Sequence, residues 1–284
     1  MGFHQPPSTF VNEIQLKVTD FERSLTFYQD MLGFQILDQT GELVRLTVDG
    51  EKPLITLTRP DDILPKQPRT TGLYHFAILL PDRVSLGALL QHLVRQKYPL
   101  QGASDHLVSE AVYLADPDGN GIELYIDRPS SEWTWSNGEV KMTTDPLDAE
   151  SLLAEGASLI WKQLPAGTVL GHIHMHVSDF RDIEDFYCTG LGFEVVTKFG
   201  DQALFISSEG YHHHIGLNTW AGVGASAPPE NSVGITWFEV VFPSSDAKHK
   251  AIERLEKLDF SIEEKDNEFY TSDPSKNKIK LSVF

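Results

Sequence analysis

The stretch Val18–Phe34, VTDFERSLTFYQDMLGF, returns later in the chain as VSDFRDIEDFYCTGLGF at Val177–Phe193. The two copies align without a gap, so Tyr28 corresponds to Tyr187. An acidic residue that can cap a helix stands near the start of each copy, and a glycine that can end a helix in the left-handed conformation stands near its end. The repeat therefore predicts two equivalent helices and shows that the chain contains a duplicated unit.

Length, charge and cysteine content narrow the class of protein. At 284 residues the chain can form two domains of roughly 140 residues each. The net charge of −18 argues against binding to nucleic acid or to an anionic membrane, because both require clustered lysine and arginine. The single cysteine, Cys188, excludes an internal disulfide, and no apolar run approaches the length of a membrane-spanning helix. We expect a cytoplasmic protein that acts on a small molecule.

Each half of the chain divides again into two similar units. In the first unit an alternating apolar strand at residues 14–18 precedes the helix of the repeat. Three more strands are predicted after that helix, at residues 34–38, 42–47 and 54–58. The same order, βαβββ, begins again at three later positions: Tyr74, His172 and Thr236.

The predicted fold is α+β, with four βαβββ units in two halves. The N-terminal half covers residues 1–128 and the C-terminal half covers residues 168–284. Residues 129–167 form a polar connector with a short helical segment near residues 147–155, and we expect it to pack on the surface.

Strand alternation separates the two faces of each predicted sheet. In every first strand one parity is apolar, and helices should cover that face. The opposite parity faces inward and carries Glu13, Gln15 and Lys17 in unit one, His75 in unit two, His172, His174 and His176 in unit three, and Trp237 in unit four. Polar side chains at so many inward positions indicate a functional site rather than an apolar core without water.

A comparison of the last strands singles out one combination of residues. At the position between two apolar residues, the four units carry Thr56, Glu123, Gly216 and Lys280. Only unit two offers a carboxylate there, and only units two and three offer a histidine at the equivalent position of the first strand. His75, Glu123 and His172 thus form the one complete set. Two histidines and one carboxylate are the facial triad of non-haem Fe(II) sites, with about three positions left for substrate and oxygen.

This ligand set predicts which units share a sheet, and the same residues also have a structural interpretation without a metal ion. If His75, Glu123 and His172 bind one metal ion, units two and three must share a sheet, which leaves units one and four to form a second, structural sheet without a metal site. Alternatively, the histidines are hydrogen-bonded structural residues on a wet sheet face, and the glutamate is solvated.

Four βαβββ units resemble the vicinal oxygen chelate superfamily over essentially the whole chain. The local motifs that carry the resemblance are DPDGNGIELY at Asp116–Tyr125, LGHIH at Leu170–His174 and GLGF at Gly190–Phe193. The resemblance implies two cup-shaped sheets, each built from two units, with metal ligands on the first and last strands (the glyoxalase, bleomycin resistance and extradiol dioxygenase fold). The run of motifs is most similar to the two-domain, ring-cleaving extradiol dioxygenases of the catechol 2,3-dioxygenase type.

Those enzymes also imply candidate acid-base residues. They have a tyrosine ten residues before the glutamate, where Tyr113 stands, and a histidine pair just before a last strand, where residues 212–214 are all histidine. Alignment favours His213 as the acid-base residue, whereas strand parity favours His214. His106 resembles a loop histidine of the family, although its spacing to Tyr113 is shorter than in many members.

The implied chemistry is the catabolic cleavage of an aromatic diol by O2. Fe(II) is the implied cofactor, and Mn(II) suits the same ligands. The substrate is a catechol or a hydroquinone, with His213 moving a proton and Tyr113 donating a hydrogen bond to the substrate oxygen. For a catechol the product is a muconic semialdehyde.

Other functions on the same fold remain open from the sequence. One is a glyoxalase-like, metal-dependent lyase or isomerase, and another is a metal-free protein that binds a small aromatic compound. Exposed sheet edges in this fold often pair, so a homo-oligomer is also an option.

Overall fold

The computed structural model describes residues 2–284 and contains two eight-stranded sheets, which confirms the predicted architecture of four βαβββ units. The strands of the first half are β1 (Phe10–Lys17), β2 (Gln35–Gln39), β3 (Leu43–Thr47), β4 (Pro53–Thr58), β5 (Gly72–Leu79), β6 (Leu100–Asp105), β7 (Ser109–Ala115) and β8 (Gly121–Asp127). A small hairpin in the connector consists of β9 (Trp135–Ser136) and β10 (Glu139–Val140). The strands of the second half are β11 (Val169–His176), β12 (Glu194–Phe199), β13 (Ala203–Ser207), β14 (Ile215–Asn218), β15 (Gly234–Phe242), β16 (Ile262–Lys265), β17 (Glu268–Ser272) and β18 (Lys278–Val283).

Helices cover the apolar faces of the sheets. The α-helices are α1 (Phe21–Leu25), α2 (Arg83–Arg95), α3 (Ala149–Gly156) and α4 (Ser245–Lys257). The buried apolar residues of all four units join in one core. None of the helices among residues 2–284 has both the length and the apolar character needed to cross a bilayer.

The strands pair across the two sequence halves. One sheet has the order β12-β13-β14-β11-β5-β8-β7-β6 and thus joins units three and two, as the ligand comparison predicted. The other has the order β16-β17-β18-β15-β1-β4-β3-β2 and joins units four and one. The sheet of units three and two is the site sheet, and the sheet of units four and one is the partner sheet.

The repeated stretch forms wider helical turns than the sequence predicted. α1 begins after Asp20, whose side chain accepts a hydrogen bond from Arg23 N, and it continues as a π-helix over Thr26–Leu32. The second copy forms a π-helix over Asp185–Gly190. Gly33 ends the first copy at φ +88°, and a side chain there would meet the backbone of Gln163 at 2.6 Å. The predicted cap at Asp20 and the predicted left-handed stop at Gly33 are both confirmed. In the second copy Gly192 is also left-handed, at φ +92°, but Asp179 accepts from Arg181 N and no side-chain hydrogen bond caps the π-helix.

The tyrosine of each repeat binds the turn before the last strand of the following unit. Tyr28 donates to Asp116 at 3.0 Å, and Tyr187 donates to Asp273 at 3.0 Å. All four side chains are buried. Asp116 also accepts the backbone N–H of Asn120, so its carboxylate ties the turn to the helix of the neighbouring unit. The repeat thereby holds two units of one sequence half together, although their strands lie in different sheets.

Removal of one tyrosine hydroxyl tests this connection. Tyr28→Phe leaves a buried oxygen of Asp116 with one donor fewer, so we expect the free energy of unfolding to fall by about 1–3 kcal/mol. Chemical denaturation measures the change. Tyr270→Phe is the matched control, because Tyr270 donates to the more exposed Glu268 and should cost less than about 0.5 kcal/mol. Equal stability of Tyr28→Phe and the wild type would contradict the connection.

The polar face of the partner sheet is closed by its own hydrogen bonds and ion pairs. Thr56 donates to the buried Glu13, and Lys280 lies 3.9 Å from Glu239. Burial raises the pKa of Glu13 to about 7, with a smaller lowering contribution from Thr56. Glu13 is the residue that aligns with His172 in the duplication, so the same sheet position carries different chemistry in the two sheets.

The raised pKa of Glu13 gives the protein a pH-dependent stability. The folded pKa is about 7 and the reference value is 4.5, so between these pH values the folded chain retains a proton that the unfolded chain releases. The free energy of unfolding should fall by at most about 3 kcal/mol as the pH rises through this window. Glu13→Gln keeps a neutral group that can accept from Thr56, so it should be more stable than the wild type at pH 8 and nearly equal to it at pH 4.5.

Denaturation curves at both pH values check this expectation. Glu42→Gln, at an exposed position, is the control and should show no such difference between the two pH values. A Glu13→Gln protein less stable than the wild type at pH 8 is the opposing result.

Candidate metal centre

Three side chains named from the sequence meet on the polar face of the site sheet. β5 runs antiparallel to β11, with Ala77 opposite His172, and parallel to β8, with Ala77 beside Glu123. His75 lies two residues before Ala77 on the same strand, so both residues point to one face. One potential ligand atom from each of His75, Glu123 and His172 lies within 4.8 Å of the other two.

The Glu123 carboxylate lies between the two imidazoles. Its Oε2 is 3.2 Å from His172 Nε2 and 3.0 Å from His75 Nε2, and all three residues are buried. Burial alone would raise the pKa of Glu123, but His172 and His75 outweigh it and hold the pKa well below its ordinary range. Burial lowers the pKa of His172 to about 4. Near neutral pH, Glu123 is therefore ionised and His172 is neutral, as metal ligation requires.

The hydrogen bonding of the cluster is incomplete. His75 Nε2 approaches Glu123 without the geometry of a hydrogen bond, and no other partner satisfies this buried atom. A buried polar nitrogen without a partner is rare and costly, and a cation beside Glu123 would satisfy it. Two imidazoles and one carboxylate fit Fe(II) or Mn(II). Across residues 2–284 no other group of three His, Cys, Asp or Glu side chains is close enough to hold a metal ion.

A cavity of about 530 Å³ opens beside His75 and Glu123. Its volume lies in the range typical of small-molecule sites. Both polar and aromatic side chains line it, including His106, Tyr113, His174, Phe205, His213 and Trp220. A small aromatic compound bound there would touch His75 and Glu123 on one side and aromatic rings on the other.

Tyr113 and His106 form one hydrogen-bonded pair at the cavity wall. His106 Nδ1 is 2.6 Å from the carbonyl oxygen of Thr143, which only accepts, so Nδ1 carries the proton. His106 Nε2 then accepts from the Tyr113 hydroxyl at 2.6 Å. Burial raises the pKa of Tyr113, with a smaller contribution from Glu123, so this side chain is a neutral phenol.

The connector contributes to the cavity, contrary to the prediction that it only packs on the surface. Met142, Thr143 and Thr144 line the cavity, and the backbone of Asp145 pairs with that of Asp105 at the end of β6. Sequence periodicity gave no sign of this contact, because the connector strands are two residues long. The orientation of His106 therefore depends on a segment outside the four units.

The structure separates the two histidines between which the sequence left a choice. His213 lines the cavity, with its ring centroid 4.2 Å from that of His172. His214 lies outside the cavity, where Nε2 donates to the carbonyl of Phe3 and Nδ1 accepts from Ser208 N. Strand parity favoured His214 only because it assumed a strand, whereas β14 begins one residue later at Ile215. Burial lowers the pKa of His213 well below its ordinary value, so His213 is neutral near pH 7.

The predicted site residues do not include two further residues of the cavity wall, His174 and Trp220. Strand alternation placed His174 inward, and its buried Nε2 has no hydrogen-bond partner in the structure. Its ring centroid lies 5.1 Å from that of His75. Trp220 follows β14 and is about half exposed at the cavity mouth. No spacing pattern indicates a loop tryptophan of this kind, so only the fold could place it.

Comparisons with known proteins show the family to which the chain belongs. Residues 11–124 match the Glyoxalase/Bleomycin resistance protein/Dioxygenase superfamily. The chain is 44% identical over 269 residues to catechol-2,3-dioxygenase of Bacillus subtilis (strain 168), covering 94% of each protein. It is 30% identical over 133 residues to biphenyl-2,3-diol 1,2-dioxygenase 3 of Rhodococcus globerulus, which is 43% of this chain and 66% of that protein.

A solved structure shows the same fold at low sequence identity. Glyoxalase I from Zea mays superposes with a TM-score of 0.58 at 14% identity, covering 96% of this chain and 92% of that one. The sequence match to the Bacillus protein is far closer and spans both halves of the chain. The chain therefore belongs to the glyoxalase, bleomycin resistance and dioxygenase superfamily, in the family of the Bacillus subtilis catechol-2,3-dioxygenase.

Proposed function

We propose that this protein is an extradiol dioxygenase that inserts O2 into the ring of a catechol, next to its hydroxyl groups. One observation carries the proposal. His75, Glu123 and His172 converge beside a cavity that also presents Tyr113 and His213. The family relationship to a catechol-2,3-dioxygenase supports the same reaction.

The metal ion in this proposal is Fe(II), with Mn(II) as the other candidate. His75, Glu123 and His172 would hold it, because two imidazole nitrogens and one ionised carboxylate suit either ion. A bound metal would supply the redox chemistry of the reaction, by passing electron density between catechol and O2. His75 Nε2 is buried without a hydrogen-bond partner, which supports a metal ion bound between His75 and Glu123.

His213 acts as the proton acceptor for a catechol hydroxyl. Its Nδ1 is occupied by a contact to His212, so Nε2 is the nitrogen available to substrate. The lowered pKa keeps the ring neutral and able to accept a proton. General base catalysis of this kind contributes about 10²–10⁴-fold to a rate.

Tyr113 and His106 act on the substrate from another part of the cavity wall. The Tyr113 hydroxyl donates to a substrate oxygen when that oxygen replaces His106 Nε2 as its acceptor. His106 keeps the tyrosine in place before substrate binds. The overall reaction balances as catechol plus O2 giving one 2-hydroxymuconic semialdehyde, with both atoms of O2 retained in the product.

The cellular setting forms part of the same proposal. The net charge of −18 disfavours nucleic acid and anionic membranes as partners, and the single Cys188 suits a reducing compartment such as the cytoplasm. Association of protomers through sheet edges stays a prediction.

Oxygen uptake tests the proposed reaction directly. Protein reconstituted anaerobically with Fe(II) should consume one O2 per catechol and give a yellow product near neutral pH, measured with an oxygen electrode and by absorbance. No uptake with any catechol or hydroquinone would refute the proposal. Turnover under nitrogen with nickel or zinc would instead support a lyase or isomerase. Ligand binding by protein that retains no metal would support a binding protein.

The predicted ligands can be tested by metal content. His172→Ala should lower bound iron from about one per chain to a small fraction and abolish oxygen uptake, because two ligands cannot hold the ion as three do. Glu13→Gln alters the equivalent position of the partner sheet and serves as the control, with unchanged iron and unchanged uptake. Full iron occupancy in His172→Ala, measured by a colorimetric iron assay, would contradict the site.

The two neighbouring histidines give a second comparison. His213→Gln should lower kcat about 10²–10⁴-fold, because it removes the proton acceptor. His214→Gln should change kcat by less than about threefold and act mainly on stability, since His214 contacts Phe3 outside the cavity. Steady-state kinetics with catechol measure both effects. Equal losses of kcat in the two variants would contradict the assignment of His213, rather than His214, as the proton acceptor.

A further inference from the structure

Behind His213 lies a buried chain of hydrogen bonds. His213 Nδ1 is 2.9 Å from His212 Nδ1, and His212 Nε2 is 2.8 Å from Asp127 Oδ1. The His212 side chain is fully buried, and the Asp127 side chain is 23% exposed. No lysine or arginine within residues 2–284 forms an ion pair with Asp127, so His212 and the Tyr211 hydroxyl are its side-chain partners.

The chemistry of these atoms determines where the protons are. A carboxylate oxygen only accepts hydrogen bonds, so His212 Nε2 carries a proton and donates a hydrogen bond to Asp127. In the His212 tautomer that has this single ring proton, the lone pair lies on Nδ1, where it accepts from His213 Nδ1–H. Neutral His213 with its proton on Nδ1 has its lone pair on Nε2. The chain thus leaves an accepting nitrogen for the cavity.

Aromatic rings hold the chain in one arrangement. The Tyr211 ring lies 4.1 Å from that of His212, and the Trp133 ring lies 5.2 Å from it, both measured between centroids. The Tyr211 hydroxyl also donates to Asp127 at 3.2 Å. Hydrogen bonds that are shielded from water in this way are stronger than exposed ones, so His212 has little freedom to turn.

We propose that Asp127 and His212 are positioning residues that fix His213 with its proton on Nδ1 and its lone pair on Nε2 facing the substrate. The inference rests on the proposed function for the role of His213. The opposite form of His213 would point an N–H at the catechol hydroxyl and could not accept its proton. The logic is that of a carboxylate orienting a catalytic imidazole in hydrolases, with a second imidazole inserted between them.

The form of His213 can be measured without metal, substrate or turnover. In metal-free protein labelled with ¹⁵N-histidine, two-bond ¹H–¹⁵N couplings identify the protonated nitrogen of each ring, and the His213→Gln spectrum assigns the signal. We expect His213 to carry its proton on Nδ1. A His213 protonated on Nε2 in the wild type overturns the inference, whether or not the protein cleaves catechol.

Two substitutions of His212 then test the effect on catalysis. His212→Phe keeps a ring of similar size but removes both hydrogen bonds, so kcat for catechol should fall about 10- to 100-fold with little change in KM. His212→Gln offers an amide N–H to Asp127 and an amide oxygen to His213, so it should restore most of the lost rate. A purely structural role would not produce recovery by an amide of different shape.

His214→Gln is the matched control for this cluster. It replaces the next buried histidine of the same run, which bonds to Phe3 and Ser208 and not to the chain behind His213, so kcat should stay within about threefold of the wild type. A His212→Phe protein with wild-type kcat, or with KM rather than kcat changed, overturns the inference. If His212→Phe does not fold, the spectrum of the wild type decides alone. Absence of oxygen uptake in the wild type would instead refute the proposed function.

Discussion

The antiparallel pairing of β5 with β11 is the constraint on which the site depends. It places His75 and His172, from different sequence halves, on one face of one sheet. Because successive side chains alternate between faces, a slip of one residue would turn one histidine into the core. The register changes between Leu170 and His172, at Gly171, where a side chain would meet the Tyr125 hydroxyl at 1.8 Å. Only glycine allows this close approach.

Two kinds of interaction join the four units. The strands pair across the sequence halves, whereas the Tyr28–Asp116 and Tyr187–Asp273 hydrogen bonds connect units within each half. Neither kind alone fixes the positions of all four units. Together they lock both sheets against one core, so the ligand-bearing strands gain rigidity from residues far from the cavity.

Sequence reasoning succeeded where strand alternation is regular. It placed His75, Glu123 and His172 on one face because each lies within a strand whose neighbours are apolar. It failed to choose between His213 and His214 because parity has no meaning in the loop before Ile215. It could not show that Thr143 orients His106, since that contact joins a connector to a loop 37 residues away and depends on side-chain geometry.

The duplication places residues of different chemistry at equivalent positions of the two sheets. At the position of His172 the partner sheet has Glu13, whose buried carboxyl has a raised pKa and accepts from Thr56, so the pair is satisfied within itself. In the site sheet, Glu123 meets two imidazoles, and His75 Nε2 keeps no hydrogen-bond partner. The hydrogen-bonded Glu13–Thr56 pair needs no further partner on the face of the partner sheet. In the site sheet, an ionised carboxylate beside a nitrogen without a partner can accept a cation. The two sheets therefore share a backbone arrangement but differ in the number of hydrogen-bond partners that their polar side chains find.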